Sequence, residues 1–282
     1  YDATVATWKA KYAGDMSSMD AVTPAALSDG LEVLVPTGHH PSFPSEHAAV
    51  AVVASEILAY LQPDNADSFR IMAEEAMESR LLAGANFRSD IEAGKVIGQA
   101  VAAEIIAWAK ADGSDMAWEY TAPEGTRFSV ENPVFPMTGT WKTLAIENGE
   151  QFRAPPPPAY DSEKILADLA EIKAVEKTLP VIHQASYWAI FYTGYEVWYD
   201  LASRLLFEGR NADNAPLMAQ IYAGLGVSAY DSIVGCFDSK YEYVYARPSH
   251  IDASVEPLIP VSPHPSYPSA HSCGSGAMAH VI

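Results

Sequence analysis

The residues of this chain that could do chemistry lie in one phrase that occurs twice. Residues 40–47 read "HPSFPSEH" and residues 264–271 read "HPSYPSAH". In each phrase Pro-Ser stands before a run of helix-forming residues, so Ser45 and Ser269 are predicted helix N-caps. The free amides of a helix N-terminus attract an anion, and a histidine in the first turn can accept or donate a proton. The two phrases therefore indicate two candidate sites for a tetrahedral oxyanion.

Two cations precede the second phrase. The segment "KYEYVYARP" places Lys240 near a predicted helix end and Arg247 next to a proline that fixes the chain direction. The Ser269 hydroxyl and the amides of residues 269–271 add hydrogen-bond donors to these charges. This combination is typical of a site that holds a tetrahedral oxyanion. His271 is then the candidate acid or base for a leaving oxygen.

The first phrase has different surroundings. The segment "SRLLAGANFRSD" follows it at residues 79–90, and Lys11 precedes it at the position equivalent to Lys240, but no Arg-Pro follows that lysine. Glu46 stands where the second phrase has Ala270, and a carboxylate beside a bound anion costs on the order of several kcal/mol in a partly dry pocket. We therefore interpret the first copy as degenerate. Its residues are Lys11, Ser45, His47, Arg80, Asn86 and Asp90.

These segments resemble the three-part signature of the superfamily of type 2 phosphatidic acid phosphatases, bacterial acid phosphatases and vanadium-dependent haloperoxidases. That signature is Lys-x6-Arg-Pro, Pro-Ser-Gly-His and Ser-Arg-x5-His-x3-Asp. The chain departs from it with Ala270 at the glycine position and Asn86 at the last histidine position. The Pro-rich connector and two-bundle layout look most like the soluble, haloperoxidase-related bacterial branch. The matching residues are Lys240, Arg247, Pro248, Pro268, Ser269, His271, Ser79, Arg80 and Asp90.

The resemblance implies a role for each residue of the second copy. Residues at these positions hold phosphate or vanadate in such enzymes, and the first histidine of the signature is the acid–base catalyst. Carried over, the anion ligands would be Lys240, Arg247, Ser269 and Ala270, and the catalyst would be His271. Vanadate is the implied cofactor at this anion site, and no metal site made of side chains is predicted.

In the first copy, the resemblance implies that Arg80 is an anion ligand and that Asp90 orients the residue at position 86. The last histidine of the signature bonds covalently to phosphorus or coordinates vanadium, and Asn86 has no ring nitrogen to do either. Arg80 also has a structural interpretation, an intrahelical ion pair with Glu75 or Glu78. We therefore predict that the first copy is catalytically inactive in this family's sense.

Three functional hypotheses follow, and the sequence favours an enzyme. The first is an oxyanion enzyme that oxidises halide with peroxide through bound vanadate, or hydrolyses a phosphomonoester through phosphohistidine. The second is a non-catalytic or inactive anion-binding helical scaffold, because the nucleophilic histidine is Asn86 in one copy and is absent up to Ile282 in the other. The third is a composite site, within one chain or between two, in which Arg80 approaches Lys240, Arg247 and His271.

The spacing of apolar residues predicts an all-α protein of two related helical bundles, a tandem repeat, joined by a Pro-rich irregular connector. "YDATVATWKAKY" at residues 1–12 matches "YDSIVGCFDSKY" at residues 230–241, and a Pro/Ser/His phrase follows each. The predicted domains are the first, degenerate bundle at 1–111, the connector at 112–160 and the motif-bearing, C-terminally incomplete bundle at 161–282. Helices are predicted at 45–62, 65–84, 90–111 with Asp90 as N-cap, 161–178, 184–208, 214–241 and 268–282.

Composition limits the partners. The chain has 17 Lys and Arg against 36 Asp and Glu, a net charge of −19, which argues against nucleic acid or an anionic membrane. No apolar run reaches membrane-spanning length. We expect a small anionic substrate, or inorganic phosphate or vanadate, and leave a homo-oligomer open. Localisation is not predicted beyond a soluble, bacterial-type protein, and export is left open. Both ends look cut, because each runs as uncapped helical sequence.

Other histidines and the cysteines have no predicted chemical role. Cys236 and Cys273 lack a neighbouring Cys/His cluster and are interpreted as half-buried thiols rather than a zinc site. Loop positions at the pocket mouth are expected for His39, His40 and His264. No chemistry is expected of His183, His250 and His280.

Overall fold

The computed structural model describes residues 40–282 except 120, 122, 129, 190 and 210–213. Regular structure in those residues consists of α-helices and short 3₁₀ helices without a β-strand, which confirms the all-α prediction. Lys11, His39 and the repeated segment at residues 1–12 lie outside the described residues. The described chain forms two compact units, residues 40–110 with 214–220 and residues 111–209 with 221–282. The tandem repeat and the predicted domain boundaries stay predictions.

The first unit is a small helical bundle. α1 begins after Ser45, whose side chain caps it, and ends just before a proline. The turn after α2 contains Gly84 with a φ of 70°, a backbone conformation that glycine adopts without strain. Its described elements are α1 (Glu46–Leu61), a 3₁₀ turn (Pro63–Asn65), α2 (Ala66–Leu82) and α3 (Arg88–Ala109).

Helix α1 packs against both α2 and α3. A Cβ at Gly94 of α3 would lie 2.2 Å from the Ser45 carbonyl oxygen, so only glycine permits this approach of the two helices. At the same point the Ser45 amide donates to the Asp90 carbonyl at 2.9 Å. The first phrase is therefore fixed to the start of α3. The buried apolar cluster of this unit consists of Ala48, Val52, Met77 and Ile91.

The second unit holds the remaining helices. The described part of residues 111–160 is irregular apart from 3₁₀ turns at Thr138–Thr140 and Gly149–Phe152. The longest helix, α7, begins within the residues grouped with the first unit and continues into the second. The helices are α4 (Glu163–Ala174), α5 (Leu179–Ala189), α6 (Phe191–Glu208), α7 (Ala215–Tyr243), α8 (Pro248–Ile251) and α9 (Ala270–Ala279).

Buried polar groups of α7 fix the irregular segment. Asp231 is buried and accepts from the backbone amides of Leu144, Ala145 and Ile146 at 2.7–3.1 Å. A buried carboxylate with three amide donors is well satisfied, whereas the same group unpaired would cost several kcal/mol. This contact holds the segment before α4 against the middle of α7.

Helix α9 lies on α6 around small and aromatic residues. A Cβ at Gly274 would lie 2.7 Å from the Tyr195 hydroxyl oxygen, so the tyrosine ring occupies the space that a larger residue would need. The Trp198 indole N–H donates to the Ser275 hydroxyl at 3.3 Å. The buried residues of this cluster are Ala202, Leu225 and Met278.

Several helix boundaries differ from the sequence prediction, and two of them have a clear physical reason. Asp90 is not the N-cap of α3 but lies in its first turn, where its carboxylate accepts from the Phe87 amide at 2.9 Å. The helix predicted from residue 184 starts earlier, at Leu179, because the proline that follows is tolerated in the first turn, where its missing N–H has no acceptor to serve. None of the described helices combines the length and apolarity needed to cross a bilayer.

Candidate functional site

A cavity of about 660 Å³ lies in the second unit at the N-terminus of α9. The end of α5, the C-terminal part of α7 and the loop before α9 form its walls. We call it the α9 cavity. It is lined by each residue that the sequence assigned to the second copy: Lys240, Arg247, Ser269, Ala270 and His271.

Lys240 is buried and its ammonium group is fully hydrogen-bonded. The residue is 1% exposed, and Nζ donates to the carbonyl oxygens of Pro265 at 2.8 Å, Ser266 at 3.1 Å and Pro268. Burial lowers the pKa of Lys240 to about 8. Because an ammonium has three donors, Lys240 supplies positive charge to the cavity while its hydrogen bonds hold the second phrase in place.

Arg247 is joined to the second phrase through His264. Its Nε donates to the His264 carbonyl oxygen at 2.9 Å, and Nη2 lies 2.9 Å from His264 Nδ1. Nη2 also lies 3.4 Å from Nε2, and Nδ1 lies 3.1 Å from the Pro265 carbonyl oxygen. Because a guanidinium only donates, at least one of the two ring nitrogens is an unprotonated acceptor, so His264 is neutral. Burial, with the charges of Lys240 and Arg247, lowers the pKa of His264 to about 4, in agreement with this geometry. Nη1 makes no hydrogen bond to a described residue and is the donor left for a ligand.

We expect the second unit to lose stability as the pH falls from about 6.5 to about 4. The folded-state pKa of His264, about 4, lies below the ordinary histidine value of about 6.5. In this window the unfolded chain binds the proton more tightly, so acid favours unfolding. Water still reaches the half-buried ring, which limits the effect to on the order of 1–2 kcal/mol. Urea unfolding curves across the window measure it.

The matched variants are His264→Gln and His183→Gln. His183 is exposed on α5, so its replacement should leave the pH slope of the unfolding free energy unchanged. His264→Gln should flatten that slope, because glutamine does not titrate. A His264→Gln protein with the wild-type slope would show that other groups cause the acid sensitivity.

The first turn of α9 supplies the remaining donors. Ser269 Oγ accepts from the Ser272 amide at 3.3 Å, which leaves the hydroxyl proton free to donate elsewhere. The amides of Ala270 and His271 have no intrahelical acceptor because they belong to the first turn. His271 Nε2 lies 2.6 Å from the Trp188 carbonyl oxygen. Since a carbonyl only accepts, Nε2 carries the proton and Nδ1 is the basic nitrogen of the ring.

The charge in the α9 cavity has one sign. Although the chain carries 36 Asp and Glu, none of them is among the described residues that line this cavity, whereas Lys240 and Arg247 are. In a protein with a net charge of −19, such a cavity attracts an anion against the overall field. Its donors are N–H and O–H groups, which suit a tetrahedral oxyanion. Within the described ranges, no cluster of His, Cys, Asp or Glu side chains is arranged to bind a metal ion.

The first phrase has the same local conformation as the second but a different chemistry. Ser45 Oγ accepts from the Ala48 amide, as Ser269 does in α9, and both phrases contain a cis X-Pro bond, Phe43–Pro44 and Tyr267–Pro268. His47 is exposed, and Glu46, beside it, is partly exposed. The two phrases therefore fold alike, and the carboxylate of Glu46 distinguishes the first.

Asn86 is held by the first phrase. Its Nδ2 donates to the Ser42 carbonyl at 2.8 Å, and its Oδ1 accepts from Ser45 Oγ at 3.4 Å. Asp90 Oδ2 lies 3.5 Å from the same Nδ2. The side-chain amide thus closes the loop between α2 and α3 onto the phrase, which is a structural use of the position where the family signature has its last histidine.

Arg80 has no carboxylate partner among the described residues. Its Nε donates to Ser79 Oγ at 3.2 Å. Glu78 pairs instead with Arg88 at 2.7 Å, so the interpretation of Arg80 as the partner of Glu78 is wrong. The role of Arg80 as an anion ligand, and the composite site that would use it, stay predictions.

Two groups of the α9 cavity were not assigned from the sequence. His264 lies in a loop, as expected, but its ring also lines the cavity and bonds to Arg247. A signal for it existed, because both phrases begin with histidine. The Trp188 carbonyl, which orients His271, could not be predicted from the sequence, because every residue has a backbone carbonyl.

Comparison with known proteins gives two findings. The sequence profile of the PAP2 superfamily matches residues 7–114, a segment that contains the first phrase and residues 79–90. No curated protein matches the chain. Among solved structures, the fold is similar to that of a bacterial vanadium-dependent iodoperoxidase, with a TM-score of 0.66 and 22% sequence identity over 90% of this chain and 67% of that chain. At this identity the likeness is one of fold.

Proposed function

We propose that this chain, which belongs to the PAP2 superfamily as its motifs predicted, is an oxyanion-binding enzyme of the haloperoxidase–acid phosphatase type whose site is the α9 cavity. One observation carries the proposal. Lys240, Arg247 and the first turn of α9 line one cavity without a described carboxylate, in a strongly acidic protein. Such a cavity favours an anion, because its positive charges and hydrogen-bond donors are in position before the ligand enters.

The residues of the α9 cavity have three proposed roles, which are to supply charge, to donate hydrogen bonds and to transfer a proton. Arg247 donates to the anion through Nη1, and the Ser269 hydroxyl and the amides of Ala270 and His271 donate from the helix end. Lys240 acts through its charge, since its three N–H groups are bonded to carbonyls. His271, with Nε2 fixed by the Trp188 carbonyl, exchanges a proton with the reacting oxygen at Nδ1.

The cavity suits phosphate and vanadate alike, because both are tetrahedral oxyanions and its described lining offers donors of the same kind to each. When bound, vanadate supplies the activation of hydrogen peroxide toward halide. For a phosphomonoester, His271 would protonate the leaving oxygen. The structural neighbour is an iodoperoxidase, which supports the halide branch and makes iodide the first halide to test.

A non-catalytic anion-binding scaffold is the second candidate. It is favoured by Asn86, whose amide bonds to the Ser42 carbonyl at 2.8 Å and leaves the first phrase without a nucleophilic ring nitrogen. In that case the α9 cavity would bind the same anions without turnover. The two candidates share their ligand and differ only in chemistry.

The test is to titrate the protein with vanadate and with phosphate by calorimetry and then to assay the loaded protein. Peroxide consumption is followed with iodide and bromide, and phosphatase activity with an aryl phosphate. Binding with turnover supports the enzyme, and binding without turnover supports the scaffold. No binding of either anion would overturn both proposals.

A further inference from the structure

The two cysteines of the chain lie on the helices that carry the α9 cavity and share the wall of one neighbouring cavity. Cys236 is on α7, one helical turn before Lys240, and Cys273 is in the first turns of α9, two residues after His271. Both line a second cavity of about 500 Å³. They are the only cysteines in the sequence, and their 37-residue separation (273 − 236) gave no reason to pair them. The fold has brought them together.

The thiols interact directly and are not equivalent. Cys236 is buried and Cys273 is partly exposed. Their mutual hydrogen bond is the first cause of a raised pKa at Cys236 and of a lowered pKa at Cys273, and the Lys240 charge also lowers the pKa of Cys273. The Cys236 sulfur also lies 3.9 Å from the Pro268 carbonyl oxygen. Cys273 is therefore the thiol with more thiolate character and better access, and Cys236 is its protonated neighbour.

We propose that Cys273 and Cys236 form a peroxide-sensitive pair that closes to a reversible intramolecular disulfide. The Cys273 thiolate attacks one oxygen of hydrogen peroxide, the O–O bond breaks, and sulfenic acid and hydroxide form. Cys236 then attacks that sulfur and loses its proton, and the hydroxyl leaves as water. In total, two thiols and one peroxide give one disulfide and two waters.

The disulfide would join the two elements that carry the site. α7 holds Lys240 and α9 holds His271, and the loop closed by the bond contains Arg247 and the whole second phrase. Closure brings the two sulfur atoms to an S–S distance of about 2.05 Å. A cross-link of this kind restricts the unfolded chain, so the oxidised protein should melt at a higher temperature than the reduced protein.

This inference does not rest on the proposed function. It needs the thiol pair and hydrogen peroxide, and neither halide turnover nor anion binding enters it. A protein without enzymatic activity could still show the disulfide, and an active enzyme could lack it, so the two proposals fail separately.

The experiment treats the reduced full chain with one equivalent of hydrogen peroxide and measures intact mass, free thiols and a peptide map. We expect loss of two hydrogen atoms, loss of both thiols, one peptide pair linked through Cys236 and Cys273, and full reversal by dithiothreitol. The same chain unfolded in guanidinium should oxidise at least tenfold more slowly within the molecule, because the thiols no longer meet.

Single variants assign the order of attack. In Cys236→Ser, Cys273 should stop at sulfenic acid and be trapped by dimedone. In Cys273→Ser, Cys236 should react at least tenfold more slowly. Three results would each overturn the proposal: thiols of the folded protein that survive excess peroxide, disulfides only between chains on a non-reducing gel, or faster sulfenic acid formation at Cys236 than at Cys273.

Discussion

Replacing Arg247 by glutamine is expected to weaken the binding of vanadate, phosphate and sulfate about 100-fold. Arg247 lines the α9 cavity, its Nη1 has no bond to a described residue, and its position is fixed by two bonds to His264. The variant would lose the two charge-assisted hydrogen bonds from Nη1 to the anion and the charge of a half-buried cation. This loss costs about 3 kcal/mol of binding free energy, and each 1.4 kcal/mol is tenfold in affinity. Calorimetric dissociation constants measure the loss.

The matched control is Arg204→Gln. Arg204 is exposed on α6 and does not line the α9 cavity, so the same change in net charge should alter affinity less than twofold. Arg247→Lys should fall between the two, because it keeps the charge but not the planar fork of donors. If Arg247→Gln binds as tightly as Arg204→Gln, the anion is held elsewhere and the proposed site is wrong.

Replacing Lys240 by methionine is expected to lower the free energy of unfolding by about 2–3 kcal/mol. Three carbonyl oxygens of the second phrase would lose their donor, each at about 1–3 kcal/mol. Removing the buried ammonium also removes its desolvation cost, and this raises the free energy of unfolding. The lowering of its pKa from about 10.4 to about 8 corresponds to roughly 3 kcal/mol. The three lost hydrogen bonds outweigh it, and urea unfolding at neutral pH measures the difference.

The control for Lys240→Met is Lys142→Met, which removes an exposed lysine of the same unit and should change stability by less than about 0.5 kcal/mol. A Lys240→Met protein that is as stable as the control would show that the carbonyls find other partners. Anion affinity should also fall about tenfold in Lys240→Met, because the cavity loses a nearby charge but no direct donor.

The motifs named five residues that line the α9 cavity before the fold was known. Lys-x6-Arg-Pro and Pro-Ser-x-His are short, and each is fixed locally by a helix end, a proline or an N-cap serine. Their five residues line one cavity, although 31 positions separate Lys240 from His271 (271 − 240). The sequence also distinguished the two phrases, through Glu46 and Asn86. The roles of these residues in binding and catalysis are left to the experiments above.

Other features depended on contacts between distant segments. The family resemblance implied that Lys240 is an anion ligand, and that role stays a prediction. The structure adds that its ammonium is bonded to three carbonyls of the second phrase. Asp90 was expected to be the N-cap of α3, but Phe87 holds that position, and its amide donates to the Asp90 carboxylate three residues later. The hydrogen-bond partners of Lys240 and Asp90 are backbone groups, which every residue carries, so a pattern of residue types does not predict them.

By itself, the sequence determined the helical class, most helix positions and five residues that line the α9 cavity, because apolar spacing, caps and charged motifs act over a few neighbouring residues. The tertiary structure decided which groups meet across the chain. It placed His264 against Arg247, fixed the tautomer of His271 with the Trp188 carbonyl, and brought Cys236 and Cys273 to the wall of one cavity. These contacts depend on how α5, α7 and α9 pack, and packing is a property of shape and volume summed over the whole unit rather than of any local pattern.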